Sequence, residues 1–280
     1  MRAIHTNLIK EAVKEMCIEA NLVLSPDVES RIYAAEQEET AELGKKILSQ
    51  LKENMEIAKA ESIPICQDTG MAIIFLEIGQ EVHLEGDYLE DAVNQGVREG
   101  YEEGYLRKSV VGDPLLRVNT KDNTPAVIHT KIVPGDKVRI TVAPKGFGSE
   151  NMSRVCMLKP ADGEEGVKEV VLETVRLAGP NACPPMVVGV GIGGSFEKCA
   201  LLAKKALTRN LDTRSELPHI RAMEEELLKK INELNIGPGG LGGRTTALGV
   251  NIETYPTHIA GLPVAINICC HVNRHAVREL

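Results

Sequence analysis

Three cysteines far apart in the chain each close an apolar run and open a turn, and this pattern constrains the fold more than any other feature. The segments read Pro64-Ile65-Cys66-Gln67-Asp68-Thr69-Gly70, Ala182-Cys183-Pro184-Pro185 and Cys269-Cys270-His271-Val272-Asn273-Arg274. A thiol at the end of a buried element faces a cleft while its backbone stays anchored. The plain alternative is three inert core thiols, because cysteine is among the most buried residue types. Spacing alone does not decide between the two, and the polar, Pro- and Gly-rich flanks favour chemistry.

The 280 residues suffice for one large domain or two small ones, and 43% hydrophobic residues is normal for a folded core. With no Trp and three Phe that core has to be aliphatic. The net charge of −8, from 40 acidic and 32 basic residues, argues against nucleic acid as the main partner. No window reaches the ~18 consecutive apolar residues of a membrane span. Met1 to Glu15 has no apolar signal core. Seven cysteines without a Cys-x-x-Cys pair suit a reducing, cytosolic compartment. Structural zinc fits poorly, since its ligands come as closely spaced pairs.

Leu8, Ile9, Ala12, Val13 and Met16 recur at helical spacing, and Ser25-Pro26 reads as a helix start. A longer helix is expected over about Glu38 to Ala60, with Leu43, Ile47, Leu51 and Met55 on its apolar stripe. Beyond Ile63 the pattern predicts a strand at Met71–Ile78 and a helix at Asp87–Tyr101. Ala126–Val133 and Lys137–Val142 flank Pro134-Gly135-Asp136 and read as a hairpin. Helices follow at Gly163–Leu177, Glu197–Asn210 and Glu216–Leu234, with strands at Met186–Val190, Ala247–Ile252 and Pro263–Ile268. The expected fold is mixed α/β: a single domain over 1–280, with a helical layer over about 1–62 and a mixed sheet with flanking helices over about 63–280.

Four further segments carry candidate chemistry. Gly189-Val190-Gly191-Ile192-Gly193-Gly194 follows a strand and opens a helix, the spacing of a dinucleotide-binding turn. An NAD-dependent oxidoreductase is therefore one alternative, and close helix–strand packing is the bland one. Lys145-Gly146-Phe147-Gly148-Ser149-Glu150-Asn151 is a polar turn whose glycines admit positive φ and close ligand approach. Arg107 could hold a carboxylate through paired hydrogen bonds, although a lone arginine is usually solvated. His258, twelve residues before Cys270, is a candidate proton donor or an ordinary structural histidine. Three separated thiols suit a [4Fe–4S] cluster with one iron left open, whereas electron-transfer clusters usually take four cysteines.

Taken in order, the Cys66 to Gly70 turn, Asn123-Thr124-Pro125, the Lys145 to Asn151 turn, Cys183-Pro184-Pro185 with Gly189 to Gly194, and His258 with Cys270 resemble the class I fumarase family. That family comprises iron–sulfur hydro-lyases and includes L-tartrate dehydratase. The likeness runs from about Leu8 to Arg274 and is closest to the alpha subunit of two-subunit members. It implies that Cys66, Cys183 and Cys270 hold a [4Fe–4S] cluster with one open iron, and that Cys269 packs. It implies substrate contacts at Gln67, Asp68, Arg107 and Gly148, with Asp68 and His258 in proton transfer. Cys17, Cys156 and Cys199 match no ligand position.

The single-chain relatives continue past the region matching Arg274 into a second domain that completes the site. The resemblance therefore implies a separate beta subunit, in alpha–beta pairs. The implied reaction is reversible hydration of fumarate to (S)-malate in the cytoplasm, with a small dicarboxylate as ligand and neither nucleic acid nor membrane as partner. Dehydration of L-tartrate is the alternative within the family.

Overall fold

The computed structural model describes residues 2–280. In chain order its elements begin with β1 (Arg2–His5), α1 (Thr6–Leu22), α2 (Pro26–Glu38), α3 (Glu42–Glu61), β2 (Met71–Gly79) and β3 (Val82–Glu85). Next come α4 (Leu89–Glu103), β4 (Val127–Val133), β5 (Val138–Lys145), α5 (Phe147–Glu150), β6 (Arg154–Leu158) and α6 (Gly163–Ala178). The last are β7 (Met186–Gly193), α7 (Phe196–Ala206), α8 (Pro218–Asn232), β8 (Ala247–Tyr255), β9 (Leu262–Cys269) and β10 (Ala276–Glu279). The mixed α/β class is the one expected.

The chain divides into two compact units. One comprises Met1–Ser25, Met55–Phe147 and Arg274–Leu280, and the other Pro26–Asn54 and Gly148–Asn273. The helical stretch over 1–62 is thus shared out between the units, because α1 belongs to the first and α2 to the second.

In the first unit the sheet order is β10-β5-β2-β4. The expected β4–β5 hairpin does not form: β2 lies between the two strands, parallel to β4 and antiparallel to β5. The reason lies in composition. Met71–Gly79 is almost wholly apolar and buried, whereas β4 carries exposed Thr130 and Lys131 and suits an edge. The Pro134-Gly135-Asp136 turn is real, but it spans the end of β2, where the Gly79 N–H donates to Lys137 O at 2.8 Å. Helices α1 and α4 cover the sheet and cross closely: a Cβ at Gly96 would stand 2.5 Å from Lys10 O. Ile9, Val13, Met16, Ile74, Leu76, Val97 and Ile140 form the core. Each such side chain contributes about 1.5–3 kcal/mol by burial. Leu8, at one edge of the expected stripe, is exposed.

In the second unit the order is β6-β9-β7-β8, with β7 parallel to β8 and antiparallel to β9. Val188, Val190, Ile266 and Ile268 face a core completed by Val171 and Val175 of α6 and Leu227 and Ile231 of α8. Cys199 and Ala203 of α7 pack with Ala265. The helix expected from Glu38 starts at Glu42, and its buried positions are Gly44, Leu48, Met55 and Ala58, while Leu43 is exposed. The phase follows from Gly44, where a Cβ would stand 2.9 Å from the Glu39 side chain. Among the described residues no helix is long and apolar enough to cross a membrane.

Candidate active site

In the first unit, Cys66 sits half-buried on the turn that precedes β2, behind buried Ile65 and before exposed Gln67. Its Sγ accepts the Asp68 N–H at 3.4 Å. The Asp68 carboxylate accepts the Gly70 N–H at 3.0 Å on Oδ1 and the Phe147 N–H at 2.9 Å on Oδ2. That carboxylate ties the Cys66 turn to the end of the Lys145 segment. A Cβ at Gly146 would stand 3.0 Å from Asp68 Oδ2, so this glycine serves close approach. Gly146 and Gly148 are free to take positive φ, and neither does.

Three buried side chains fix the same turn. Tyr101 Oη donates toward Thr69 O at 2.8 Å and Gly70 O at 3.1 Å, and burial raises its pKa above the usual phenol value. Asn123 donates to Gly70 O at 3.2 Å while accepting the Ser109 N–H at 2.7 Å. The Arg274 guanidinium donates to Asp68 O, and to Pro144 O at 3.3 Å. Thr69 Oγ1 donates to Arg107 O at 2.9 Å, which brings the Arg107 backbone to the turn and leaves its side chain exposed. Sequence reasoning missed Tyr101 and Arg274. The signals were a tyrosine in a chain poor in aromatics and an arginine inside a segment that is otherwise buried.

In the second unit, register explains how Cys183 and Cys270 meet. Val187 pairs with Cys269, so the end of β9 lies beside the start of β7. Cys183 precedes β7 and Cys270 follows β9. His271 Nδ1 lies 3.0 Å from Cys183 O, joining the two turns. Cys183 is exposed and adopts left-handed backbone at φ 50° and ψ 62°. That conformation costs an L-residue roughly 1–2 kcal/mol, and the surrounding turn has to hold it.

The cysteines sort by environment. Cys17, Cys199 and Cys269 are buried, whereas Cys66, Cys183 and Cys270 reach the surface, as does Cys156 on the edge strand β6. Burial pushes the Cys17 thiol up to about 12 and raises Cys199 as well, so both stay protonated. Among the described residues no three His, Cys, Asp or Glu side chains form a ready-made single-ion site of the structural zinc kind. Each unit, taken by itself, offers accessible thiols of the kind an iron–sulfur cluster takes: Cys66 with an amide donor on its sulfur in the first, and Cys183 and Cys270 on adjoining turns in the second.

The glycine motif at Gly189 to Gly194 is accounted for by packing. A Cβ at Gly191 would stand 2.1 Å from Cys199 O, and one at Gly189 2.3 Å from Ala203 O. These glycines let α7 lie on β7. The start of α7 already carries Glu197, whose carboxylate accepts Ser195 Oγ at 2.6 Å and would repel a pyrophosphate.

Gly148 is exposed, with no atom within 4 Å of a Cβ built on it. His258 is exposed between β8 and β9, and its Nδ1 accepts the Ala260 N–H at 3.1 Å. In the neutral ring this places the proton on Nε2. The Thr257 hydroxyl donates to Gly194 O at 2.9 Å, which sets the loop at the far end of β7. At about 3.3 Å per residue, the length of β7 separates His258 from Cys183 and Cys270 of the same chain by about 20 Å. The second unit therefore brings the turns that carry the two cysteines together and leaves His258 at the other end of β7.

The fumarate hydratase (Fumerase) family model matches residues 10–279. A Methanocaldococcus jannaschii protein, provisionally named L(+)-tartrate dehydratase subunit alpha, is 43% identical over 278 residues, covering 97% of each chain. The L(+)-tartrate dehydratase subunit alpha of Escherichia coli (strain K12) is 33% identical over 272 residues, covering 96% of this chain and 89% of the relative.

Proposed function

The chain belongs to the fumarate hydratase (Fumerase) family, and from that premise we propose that it is the alpha subunit of an iron–sulfur hydro-lyase hydrating fumarate to (S)-malate. Loss of water from L-tartrate is the second reading, favoured by the names of the relatives. The observation that carries the chemistry is the thiol set: Cys183 and Cys270 at one end of a sheet, and Cys66 on a braced turn with an amide on its sulfur. These three would hold a [4Fe–4S] cluster. Such a cluster, when bound, supplies a Lewis-acidic iron for a carboxylate and a hydroxyl.

The chain's own residues do the rest. Arg107 offers an exposed guanidinium to one substrate carboxylate, with its backbone fixed through Thr69. Gly148 leaves room for a carboxylate to approach the main chain. Gln67 stands exposed beside Cys66 as a further donor. Each Asp68 oxygen accepts one backbone N–H, which holds the carboxylate on the turn and leaves lone pairs to orient or assist a base supplied by the beta subunit.

His258 presents Nε2–H as an acid for the departing hydroxyl. Its distance from Cys183 and Cys270 supports action at the site of a second copy of this chain, in a working unit that is a dimer of alpha–beta pairs. The beta subunit is expected because the relatives are named alpha subunits and match this chain over nearly their whole length. Its docking surface is the segment on either side of Arg107, where Tyr105, Leu115 and Leu116 are 92%, 88% and 79% exposed. A reducing cytosolic setting suits accessible thiols of this kind.

Anaerobic reconstitution with iron and sulfide, followed by assay with the beta subunit on fumarate and on L-tartrate, tests the reading. A brown protein with broad absorption near ~400 nm and turnover of either acid supports it, and the faster acid names the substrate. No iron uptake by the wild-type chain would overturn it.

A further inference from the structure

Glu39, the residue after α2, is 1% exposed, and among the described residues its carboxylate meets no cationic side chain. Four backbone N–H groups satisfy it instead. Oε1 accepts Thr40 at 2.8 Å and Ala41 at 3.0 Å, and Oε2 accepts Arg244 at 2.8 Å and Thr245 at 3.2 Å. A buried carboxylate has about four lone-pair sites, so this set is complete. Two neighbours are glycines because nothing larger fits: a Cβ at Gly44 would stand 2.9 Å from Glu39 Cγ, and one at Gly243 2.8 Å from Oε2.

The segment that Glu39 grips, Gly237 to Thr245, lies against both sides of Cys183. The Gly239 N–H donates to Pro184 O at 2.9 Å. A Cβ at Gly240 would stand 2.3 Å from Pro180 Cβ. The Met186 N–H donates to Thr246 O at 2.8 Å. The residues before and after Cys183 thus rest on a loop that has little regular structure of its own. Cys183 itself needs support in its left-handed conformation.

We propose that Glu39 is a positioning residue for Cys183, acting through the Gly237–Thr245 loop, which holds the Pro180–Pro184 turn in the shape that presents the thiol. The relationship deepens the cluster reading, but the loop coupling stands on hydrogen bonds within one unit.

Hydrogen exchange of the full-length chain, read peptide by peptide, tests the coupling without iron. Glu39→Gln removes the charge and sets an amide NH₂ against a backbone donor. Gly243→Ala strains the same clasp from the loop side, and Glu39→Asp shortens it. In the variants that fold, exchange over 237–245 should quicken by about tenfold or more, and exchange over 179–185 should quicken with it, while α1 and α4 keep wild-type rates. In the reconstituted protein, release of iron to a chelator should quicken by about tenfold, the usual effect of losing a group that supports a ligand. Faster exchange over 237–245 with 179–185 unchanged would overturn the proposal, as would a uniform rise across the chain. If 179–185 loosens but Cys183→Ser keeps full iron, the coupling stands and the ligand assignment falls.

Discussion

The Asp68 N–H donates to Cys66 Sγ at 3.4 Å while the Asp68 carboxylate holds the N–H groups of Gly70 and Phe147, so one residue orients both the sulfur and the turn that follows it. The backbone bond to sulfur survives a change of side chain. Substitution at Asp68 should therefore separate iron binding from turnover.

In Asp68→Asn one of the two carboxylate bonds is lost and an NH₂ group faces a backbone donor. Stability should fall by about 0.5–1.5 kcal/mol, the net worth of one hydrogen bond, since these bonds are part-buried or exposed. Iron content should stay near wild type, because the Asp68 N–H still meets Cys66. Turnover should fall by about 10²-fold. Calorimetry, iron assay and steady-state rates on the assembled enzyme check the three parts, and wild-type turnover would remove Asp68 from the mechanism.

Cys270→Ser should abolish iron retention, whereas Cys269→Ser should keep it and lose only packing. Cys269 is the last residue of β9 and 5% exposed, while Cys270 lies past the strand end and reaches the surface. Alternate strand residues face opposite sides, so the pair cannot share one role. The reverse pattern of iron loss would exchange the two assignments.

Much of this arrangement was legible in the sequence where local pattern decides it. The α1 stripe, the Pro26 helix start, the strand starting at Met71 and the buried Cys269 follow from periodicity and turn chemistry. What the sequence hid was non-local. Nothing near Pro134-Gly135-Asp136 reveals that β2 separates the flanking strands, because strand order is set by competition among apolar strands across the chain. The glycines at 189 and 191 fit a cofactor turn and a helix contact equally well until α7 is seen against β7. The roles of Tyr101, Arg274 and Glu39 rest on partners more than thirty residues away.

Leu115→Ser combined with Leu116→Ser should weaken association with the beta subunit and leave the isolated chain's melting temperature within about 1 °C, since surface changes cost little. Both leucines are exposed, on a turn where Asp113 Oδ1 accepts the Leu115 N–H at 2.8 Å and the Leu116 N–H at 2.6 Å. Analytical ultracentrifugation of the mixed subunits reads the effect. Unchanged assembly would move the docking surface elsewhere.

Asp122 should make the first unit sensitive to acid. Burial raises its pKa, but the Arg98 hydrogen bond and those from the Thr124 N–H and hydroxyl outweigh burial and lower it from 3.8 to about 2. A depressed folded-state pKa gives stability that is fully present above the ordinary carboxylate value and lost as pH falls through about 2. The stability gap between wild type and Asp122→Asn, followed by denaturant unfolding, should hold at neutral pH and narrow as pH falls from about 4 toward 2. A gap that does not change with pH would mean that the carboxylate charge plays no part.

His258 supplies the sharpest test of the assembly, because the length of β7 keeps it from Cys183 and Cys270 of its own chain. His258→Asn and Cys270→Ser chains, each assembled with wild-type beta subunit, should both be nearly inactive, the first with iron retained and the second without. If His258 acts in a neighbouring copy, a mixed assembly contains one complete site: thiols from the His258→Asn chain and the imidazole from the Cys270→Ser chain. Random pairing makes half of the dimers mixed, each with one working site of two, so mixing should restore about a quarter of wild-type activity. Differently tagged chains, co-expressed and purified through both tags, should reach about half. If the doubly tagged enzyme shows no recovery while His258→Asn alone remains inactive, action across copies is excluded. If His258→Asn alone keeps full turnover, the acid is another residue.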